Sequence, residues 1–247
     1  MTITGIIPAR YSSSRFPGKL LEQLEGKAIL QHVIEKCLLS KILSDVIVAT
    51  DDTRIADIAK KCCRVEMTRP DHQSGTDRIA EVTDRCNLEA VVNIQGDEPM
   101  IDPDVIDKVA DLINKNEMST AATPIKLPEN LKNPNTVKVI INTSNKAIYF
   151  SRYPIPFLRD ETDCTITEQL MAFPYLKHIG IYGYQKATLL RLVNYPISPL
   201  EKAEKLEQLR ALDNGIPIEV AVVNHDGIGI DTPEDLKKLK EQLKAEL

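Results

Sequence analysis

The residues with the clearest chemical potential lie in a loop near the start of the chain, residues 10–19. The loop follows an apolar run, residues 3–7, that is typical of a buried strand, and Pro8 ends this strand because proline has no N–H to donate. In α/β proteins, backbone N–H groups and fixed cations at a strand-to-helix turn hold phosphate groups. The loop supplies three cations, Arg10, Arg15 and Lys19, and three hydroxyls, Ser12, Ser13 and Ser14.

This loop matches neither of two common phosphate-binding motifs. The Walker-A motif requires glycine where Ser13 stands, and serine or threonine where Leu20 follows Lys19. The dinucleotide fingerprint G-x-G-x-x-G occurs nowhere in the chain, which argues against a nicotinamide dehydrogenase. A solvated basic loop without a ligand stays an open alternative. The loop begins, however, at the carboxyl edge of the first strand, where open α/β sheets bind their ligands.

Two aspartates are placed to hold a cation near this loop. Asp97 follows a β-branched run, residues 90–95, and we expect a second strand to end at Asp231. Phosphoryl transfer from a nucleotide uses Mg²⁺, which proteins hold through one or two carboxylates. Helix capping is the alternative role for both aspartates. Asp102 and Thr232 can cap the two following helices, which leaves Asp97 and Asp231 available for a metal.

The elements that must position these residues form a regular alternation. From the first loop to about residue 125, short β-branched runs alternate with amphipathic stretches. This alternation predicts βαβ units with right-handed crossovers. We therefore expect an α/β fold with three layers and a mostly parallel, Rossmann-like central sheet.

The second half of the chain has a different pattern. It predicts a β-hairpin in residues 136–151, a strand in residues 177–185, one helix in residues 200–214 that ends at Gly215, and a final helix from Pro233. No stretch resembles a linker or a repeat, so we expect residues 1–247 to form a single domain. Within it, residues 126–200 are expected to be a mixed-sheet extension that covers the open edge of the site.

The composition excludes several classes of protein. A net charge of −5 and an aromatic content of 4%, with no tryptophan, argue against a nucleic-acid binder. No apolar run approaches the ~18 residues that span a bilayer, and the first residues lack the features of a signal peptide, so we expect no membrane association. The five cysteines are an odd number without a C-x-x-C motif, which is not a disulfide framework and predicts a cytoplasmic protein.

The segment from Ile7 to Lys19 resembles the signature of the sugar-acid cytidylyltransferases. The resemblance extends over essentially the whole chain. Residues 150–152 and 178–182 resemble the members specific for 3-deoxy-manno-octulosonate (Kdo) more than those specific for sialic acid. The resemblance implies a nucleotidyltransferase fold, CTP and Kdo as substrates, Mg²⁺ as cofactor, and a homodimer formed through residues 126–200.

The resemblance also assigns site residues. It implies that CTP is bound by Pro8, Ala9, Arg10, Ser13, Arg15, Lys19, Gln73, Ser74 and Gly75. It implies that the sugar acid is bound by Gln95, Arg152, His178, Tyr182, Glu207 and Gln208. The catalytic residues it implies are Arg10, Lys19 and Asp97, and the Mg²⁺ ligands are Asp97 and Asp231.

Two of these assignments have a physical basis in the residue types. The guanidinium of Arg152 offers the paired donors that a sugar carboxylate requires. In the loop formed by Gln73, Ser74 and Gly75, side-chain and backbone groups can match the hydrogen-bonding edge of cytosine. From the residues alone, a helix cap at Ser74 or Thr76 is the alternative for this loop.

The activity implied is the transfer of CMP from CTP to the anomeric hydroxyl of Kdo, with release of pyrophosphate, which activates Kdo for lipopolysaccharide synthesis. A related sugar acid such as 8-amino-8-deoxy-Kdo is an alternative acceptor, because one amine in place of a hydroxyl leaves no trace in the sequence. A non-catalytic CTP-binding protein is the alternative from another class. The number of Mg²⁺ ions, the general base and the role of residues 153–174 are left without a prediction.

Overall fold

The computed structural model describes residues 1–12, 15–161, 164–225, 227 and 229–245. The strands are β1 Ile3–Ala9, β2 Gln23–Leu24, β3 Lys27–Ala28, β4 Asp45–Thr50, β5 Arg64–Met67, β6 Ala90–Asn93, β7 Met118–Pro124, β8 Lys138–Ile141, β9 Ala147–Ser151, β10 Leu176–Gln185 and β11 Glu219–Val222. The helices are α1 Ile29–Leu38, α2 Thr53–Ala59, α3 Gly75–Arg85, α4 Pro103–Ile113, α5 Pro128–Lys132, α6 Ile166–Ala172, α7 Lys186–Asn194, α8 Pro199–Glu204, α9 Gln208–Asp213 and α10 Pro233–Ala245.

One large sheet organises the described part of the chain, in the order β11-β7-β10-β6-β1-β4-β5. Strand β1 pairs in parallel with both β4 and β6, and β4 pairs in parallel with β5. Strand β10 runs antiparallel to β6 and β7, and the hairpin of β8 and β9 joins the sheet through β10. The expected α/β fold with a parallel centre and a mixed-sheet extension is confirmed. A separate two-stranded sheet, β2 with β3, follows the first loop.

Helices cover both faces of the sheet, which gives the expected three layers. Strand β4 shows the cause, because its side chains alternate between two apolar cores. Val46 and Val48 pack into the core beneath α1, α2, α4 and α10. Ile47 and Ala49 pack into the opposite core beneath α3, α7 and α9. None of the helices in the described ranges is long and apolar enough to cross a bilayer.

Two predicted elements differ from the structure. The single helix expected in residues 200–214 is wrong, because α8 and α9 are separated at Lys205, which adopts a left-handed conformation with φ 53°. A left-handed residue cannot continue a right-handed helix. The expected helix end at Gly215, with φ 73°, is confirmed.

The strand predicted to end at Asp231 is the second difference. Asp226 and Ile228 lie outside the described residues, and neither Ile230 nor Asp231 belongs to a strand. The N–H of Ile230 donates to the carbonyl of Asp97 at 2.9 Å. This contact holds the segment beside the end of β6 without extending a sheet.

Candidate active site

A pocket of about 240 Å³ opens where β1 and β6 end and α3 begins. Its walls come from the first loop, from the segment after β6, from the start of α3 and from Asp231. The lining residues are Pro8, Ala9, Arg10, Arg15, Lys19, Leu20, His72, Ser74, Gly75, Arg78, Gln95, Gly96, Asp97 and Asp231. Most of the residues predicted to bind the nucleotide or the metal therefore lie around one cavity. Ser13, predicted to bind CTP, lies outside the described residues.

Lys19 is the centre of the charged end of this pocket. Its ammonium contacts the carboxylate of Asp97, donates to the carbonyl of Ile230 at 2.9 Å and lies 3.3 Å from Asp231 Oδ1. The guanidinium of Arg15 lies 3.0 Å from Asp231 Oδ2. The side chain of Lys19 is 11% exposed, so its contacts are shielded from solvent far better than those of Arg15, which is 61% exposed.

The turn before Lys19 explains how the loop reaches this position. Gly18 has φ 73°, a conformation that glycine adopts readily, and its N–H donates to the carbonyl of Tyr11 at 2.9 Å. A Cβ at Gly18 would lie 3.0 Å from the Tyr11 ring. The Pro17-Gly18 pair therefore folds the loop back on itself and directs Lys19 toward the end of β6.

The oxygen groups around Lys19 fit a small divalent cation. Two carboxylates, Asp97 and Asp231, and the carbonyl of Ile230 all contact a single ammonium. Mg²⁺ binds oxygen ligands and is usually held by one or two carboxylates together with substrate phosphates and water. Within the described residues, no group of three or more His, Cys, Asp and Glu side chains is arranged to hold a metal.

Neither of the predicted metal ligands, Asp97 and Asp231, caps a helix, because other residues cap α4 and α10. Asp102 accepts from the N–H of Asp104 at 2.9 Å and caps α4, as expected. The Thr232 hydroxyl accepts from the N–H of Asp235 at 3.2 Å and caps α10. Both carboxyl groups that were predicted to be available, Asp97 and Asp231, instead contact the cations of the first loop.

Glu98 is a charged residue at this site that the sequence analysis did not identify. Burial and, to a smaller extent, the neighbouring charge of Asp97 raise the pKa of its carboxyl to about 7, although Lys177 opposes the shift. Its position directly after Asp97 was visible in the sequence. The burial of Glu98 could not be seen in the sequence, because it depends on packing against β10. There, a Cβ at Gly180 would lie 3.9 Å from Glu98 Oε1.

The start of α3 forms the other end of the pocket. The Ser74 hydroxyl accepts from the N–H of Asp77 at 3.1 Å and caps the helix, so the capping alternative is correct for Ser74. Ser74 and Gly75 also line the pocket, and a Cβ at Gly75 would lie 3.2 Å from the Pro8 ring. Gln73 faces a neighbouring depression, and its amide donates to the carbonyl of Asp71 at 3.0 Å.

Two polar side chains that line the pocket were not predicted. His72 is almost fully buried, and its Nε2 lies 2.5 Å from Glu81 Oε2. Arg78, also buried, forms an ion pair of 3.1 Å with Asp51, at the carboxyl end of β4. Both residues flank the loop, Gln73 to Gly75, that was predicted to bind cytosine. Only the fold showed that their side chains reach the cavity.

Four of the residues predicted to bind the sugar acid form one connected group. The rings of His178 and Tyr182 lie 5.3 Å apart on the same face of β10. Between them, a Cβ at Gly180 would lie 3.8 Å from the side chain of Gln95. Burial raises the pKa of Tyr182 well above its ordinary value, and the negative charge of Glu207 adds to that rise. Gln208 follows as the first residue of α9 and is buried.

Burial fixes the charge states of this group. Burial lowers the pKa of His178 to about 3, so the imidazole is neutral near pH 7, and its Nε2 lies 3.0 Å from the Thr120 hydroxyl. Burial also raises the pKa of Glu207, while hydrogen bonds from Thr76 and Ser74 partly offset that rise. Glu207 therefore links the sugar-binding group to the start of α3.

Arg152 is held by backbone carbonyl groups. Its guanidinium donates to the carbonyls of Glu204 at 2.7 Å, Pro134 at 2.9 Å and Lys205 at 3.3 Å. These contacts place the guanidinium beside the break between α8 and α9. Lys205, one of its partners, is two residues before Glu207 in the chain. The predicted role of Arg152 in binding the sugar carboxylate stays a prediction.

A second, larger cavity of about 1070 Å³ adjoins the charged end of the first. The two cavities share Asp231, and the larger one is also lined by Glu98, His178 and Gly180. Its outer wall is the segment between α5 and β8, with Asn133, Asn135, Thr136 and Val137. This second cavity is large enough for an acceptor molecule that meets the first ligand near Asp97 and Asp231.

Comparisons with known proteins agree with this arrangement. A family model described as cytidylyltransferase matches residues 4–220. A 3-deoxy-manno-octulosonate cytidylyltransferase from Solibacter usitatus is 48% identical, over 99% of this chain and 96% of that protein. One from Geobacter sulfurreducens is 46% identical, over 99% of this chain and 100% of that protein. A solved structure of CMP:2-keto-3-deoxy-manno-octonic acid synthetase complexed with CTP superposes with a TM-score of 0.92 at 39% identity, covering 100% of both chains.

Proposed function

The chain belongs to the 3-deoxy-manno-octulosonate cytidylyltransferase family, and on that premise we infer that it transfers CMP from CTP to the anomeric hydroxyl of Kdo and releases pyrophosphate. The product, CMP-Kdo, is the activated form of the sugar for lipopolysaccharide synthesis. The observation that carries this inference is the position of Lys19 between Asp97 and Asp231, at the mouth of a pocket lined by the first loop and the start of α3.

The chemistry proposed is a direct displacement at phosphorus. The anomeric hydroxyl of Kdo loses its proton to solvent, and its oxygen forms a bond to the α-phosphorus of CTP while the bond from that phosphorus to the bridging oxygen breaks. Pyrophosphate leaves with the electron pair of the broken bond. Arg10, Arg15 and Lys19 neutralise the negative charge that grows on the leaving pyrophosphate, and no side-chain nucleophile is required.

Asp97 and Asp231 are proposed to hold Mg²⁺. When bound, the metal supplies Lewis-acid stabilisation of charge on the phosphate oxygens. The support for this assignment is the pair of carboxylates that converge on one ammonium, together with the absence of a capping role for either residue in the described structure.

The substrate groups are proposed to occupy the two adjoining cavities. The triphosphate lies along the charged end of the smaller pocket, and the cytidine moiety lies toward Ser74 and Gly75. The acceptor sugar lies on the side of His178 and Gly180, which line the larger cavity. This placement brings the acceptor hydroxyl to the shared boundary at Asp231.

A pyrophosphate-release assay tests the function directly. The protein is incubated with CTP, Kdo and MgCl₂, and CMP-Kdo is identified by mass spectrometry. Reactions that lack Kdo, that contain UTP or that contain EDTA are the controls. Pyrophosphate release that does not depend on Kdo, or none at all, contradicts the proposal. A parallel reaction with 8-amino-8-deoxy-Kdo decides between the two acceptors by comparing their kcat/KM values.

We further propose that the protein is a cytoplasmic homodimer whose contact surface lies in residues 126–200. Five large apolar side chains described in this extension are exposed by more than half of their area, and a contact between two copies would bury such surface. They are Ile148, Tyr153, Phe157, Met171 and Ile197. Light scattering coupled to gel filtration tests the proposal, with Phe157→Glu expected to shift the protein toward monomer. A monomeric wild-type protein contradicts it.

A further inference from the structure

Lys138, in β8, is a lysine with no exposed surface. Its ammonium donates to three backbone carbonyls, of Thr136 at 2.7 Å, Asn133 at 2.9 Å and Arg152 at 2.9 Å. An ammonium has three N–H donors, so the three contacts use all of them. Every proton of this buried cation is thus directed at the main chain.

The three carbonyls belong to two segments that border the acceptor side of the site. Asn133 and Thr136 lie between α5 and β8, and Arg152 directly follows β9. Asn133 and Thr136 both line the larger cavity together with His178. The N–H of His178 donates to the carbonyl of Val137 at 2.8 Å, one residue before Lys138. Lys138 therefore lies where the outer wall of the cavity, the end of β9 and β10 meet.

Burying the ammonium of Lys138 costs its hydration, and only its hydrogen bonds to the three carbonyls offset that cost. Burial lowers the pKa of Lys138, and the positive charge of Arg152 lowers it further. A methionine of similar length would fill the same volume without the loss of hydration. It would, however, leave the carbonyls of Asn133, Thr136 and Arg152 without the donor that now joins them.

We propose that Lys138 is a positioning residue for the acceptor sugar: its ammonium fixes the wall of the larger cavity, Asn133 to Thr136, relative to Arg152. This inference rests on the proposed function, because it assumes that the larger cavity receives the acceptor. Lys138 acts through the main chain and does not touch the smaller pocket, whose lining residues are on other elements. Its effect is therefore confined to the second substrate.

The test compares Lys138→Met with Lys146→Met by steady-state kinetics. Lys146 belongs to the same β8–β9 hairpin, is 46% exposed and pairs with Glu219 at 3.3 Å, so it controls for the loss of a lysine from this hairpin. For Lys138→Met, we expect KM for Kdo to rise by on the order of 10- to 100-fold, as a misplaced binding group causes. KM for CTP should stay within about twofold of the wild-type value. Lys146→Met should match the wild type in both constants.

Three results would overturn the inference. They are an unchanged KM for Kdo in a folded Lys138→Met protein, equal rises of KM for both substrates, and a fall in kcat alone. A role in stability without positioning produces the second or the third pattern. If Lys138→Met does not fold, Lys138→Gln, which keeps two N–H donors, replaces it and is judged by the same split between the two KM values.

The same experiment separates this inference from the proposed function. The wild-type protein tests the function, through pyrophosphate release that depends on Kdo. The variants test the role of Lys138 through the ratio of KM for Kdo to KM for CTP. Circular dichroism first shows that each variant is folded like the wild type. If the wild type is active and Lys138→Met has the same KM values for both substrates, the role of Lys138 is refuted and the proposed function is unaffected.

Discussion

The ammonium of Lys19 lies 3.3 Å from a carboxylate oxygen of Asp231, although 212 positions separate the two residues in the chain. The same ammonium contacts Asp97, 78 positions away. One cation from the first loop thus joins two carboxylates that come from the end of β6 and the start of α10. The phosphate-binding loop and the proposed metal ligands form a single charged unit, and the effects of substituting its members can be predicted separately.

Replacing Asp97 with asparagine should abolish turnover while the fold stays intact. The substitution removes the charge that a metal ligand needs but keeps the size of the side chain, so we expect kcat to fall by at least about 10²-fold. Asp102→Asn is the matched control, because asparagine caps a helix as well as aspartate and α4 should be unaffected. Unchanged Mg²⁺-dependent turnover in Asp97→Asn would refute the metal assignment.

Replacing Lys19 with alanine should reduce kcat more than nucleotide binding. The ammonium is proposed to neutralise charge that develops on the leaving pyrophosphate, so its loss should lower kcat by about 10²- to 10³-fold, while KM for CTP changes far less. Lys27→Ala, which removes an exposed lysine paired with Glu35 at 2.6 Å, is the control and should retain wild-type kinetics. A higher KM for CTP with normal kcat would contradict the prediction.

Breaking the buried ion pair of Arg210 and Glu201 by removing the arginine should strongly destabilise the protein. Two hydrogen bonds, of 2.6 and 2.8 Å, join side chains that are about 10% exposed, and they hold α8 against α9. Arg210→Met leaves a buried carboxylate without its partner and should cost about 3–5 kcal/mol in the free energy of unfolding. The measurement is urea denaturation.

Lys108→Met provides the control for that measurement. Lys108 pairs with Asp104 at 2.8 Å on the exposed surface of α4, and such pairs are worth about 0.3–0.5 kcal/mol. Similar losses in Arg210→Met and Lys108→Met would show that the buried pair is no stronger than the surface pair. The double variant Glu201→Gln/Arg210→Met should be more stable than Arg210→Met alone, because it carries no unpaired charge.

His178 should make the protein less stable as the pH falls below about 6.5. Burial lowers the pKa of its imidazole to about 3 in the folded protein, so between these values the unfolded chain binds a proton that the folded protein does not. Stability is therefore complete above the unfolded pKa and is lost as the pH falls. Relative to His178→Gln, the wild type should lose about 2 kcal/mol between pH 7.5 and pH 5.0.

Urea denaturation of both proteins across this pH range checks the prediction. Other groups titrate in both proteins, so their effects cancel in the difference. Between pH 7.5 and pH 8.5 the difference should be constant, which provides an internal control. A difference that does not change between pH 7.5 and pH 5.0 would show that His178 titrates near its ordinary pKa.

Much of the fold could be predicted from local patterns. Strand β4, Asp45–Thr50, is one of the short β-branched runs that were expected before residue 125, and such a run between polar turns is a strong signal for a strand. Strand β7 was not predicted. Its sequence, Met-Ser-Thr-Ala-Ala-Thr-Pro, is small and polar, and it forms a strand because β10 and β11 pair with it on either side.

The break between α8 and α9 could not be predicted for a similar reason. Residues 200–214 have a helical pattern throughout, and Lys205 is a residue that helices accept. The carbonyls of Glu204 and Lys205 are bound by the guanidinium of Arg152, more than 50 positions earlier. A contact over that distance in the chain leaves no periodic signal.

The sequence by itself determined the chemical groups of the site: a cationic loop after a strand, two aspartates that could hold a cation, and a serine-glycine turn before a helix. The tertiary structure alone decided which of these groups meet. Lys19 reaches Asp97 because β1 and β6 are neighbours in the parallel sheet and their carboxyl ends share one edge. It reaches Asp231 because the N–H of Ile230 donates to the carbonyl of Asp97 and holds that segment beside the loop. The tertiary structure also decided that His72, Arg78 and Glu98 join them, since burial and proximity arise only when distant segments pack together.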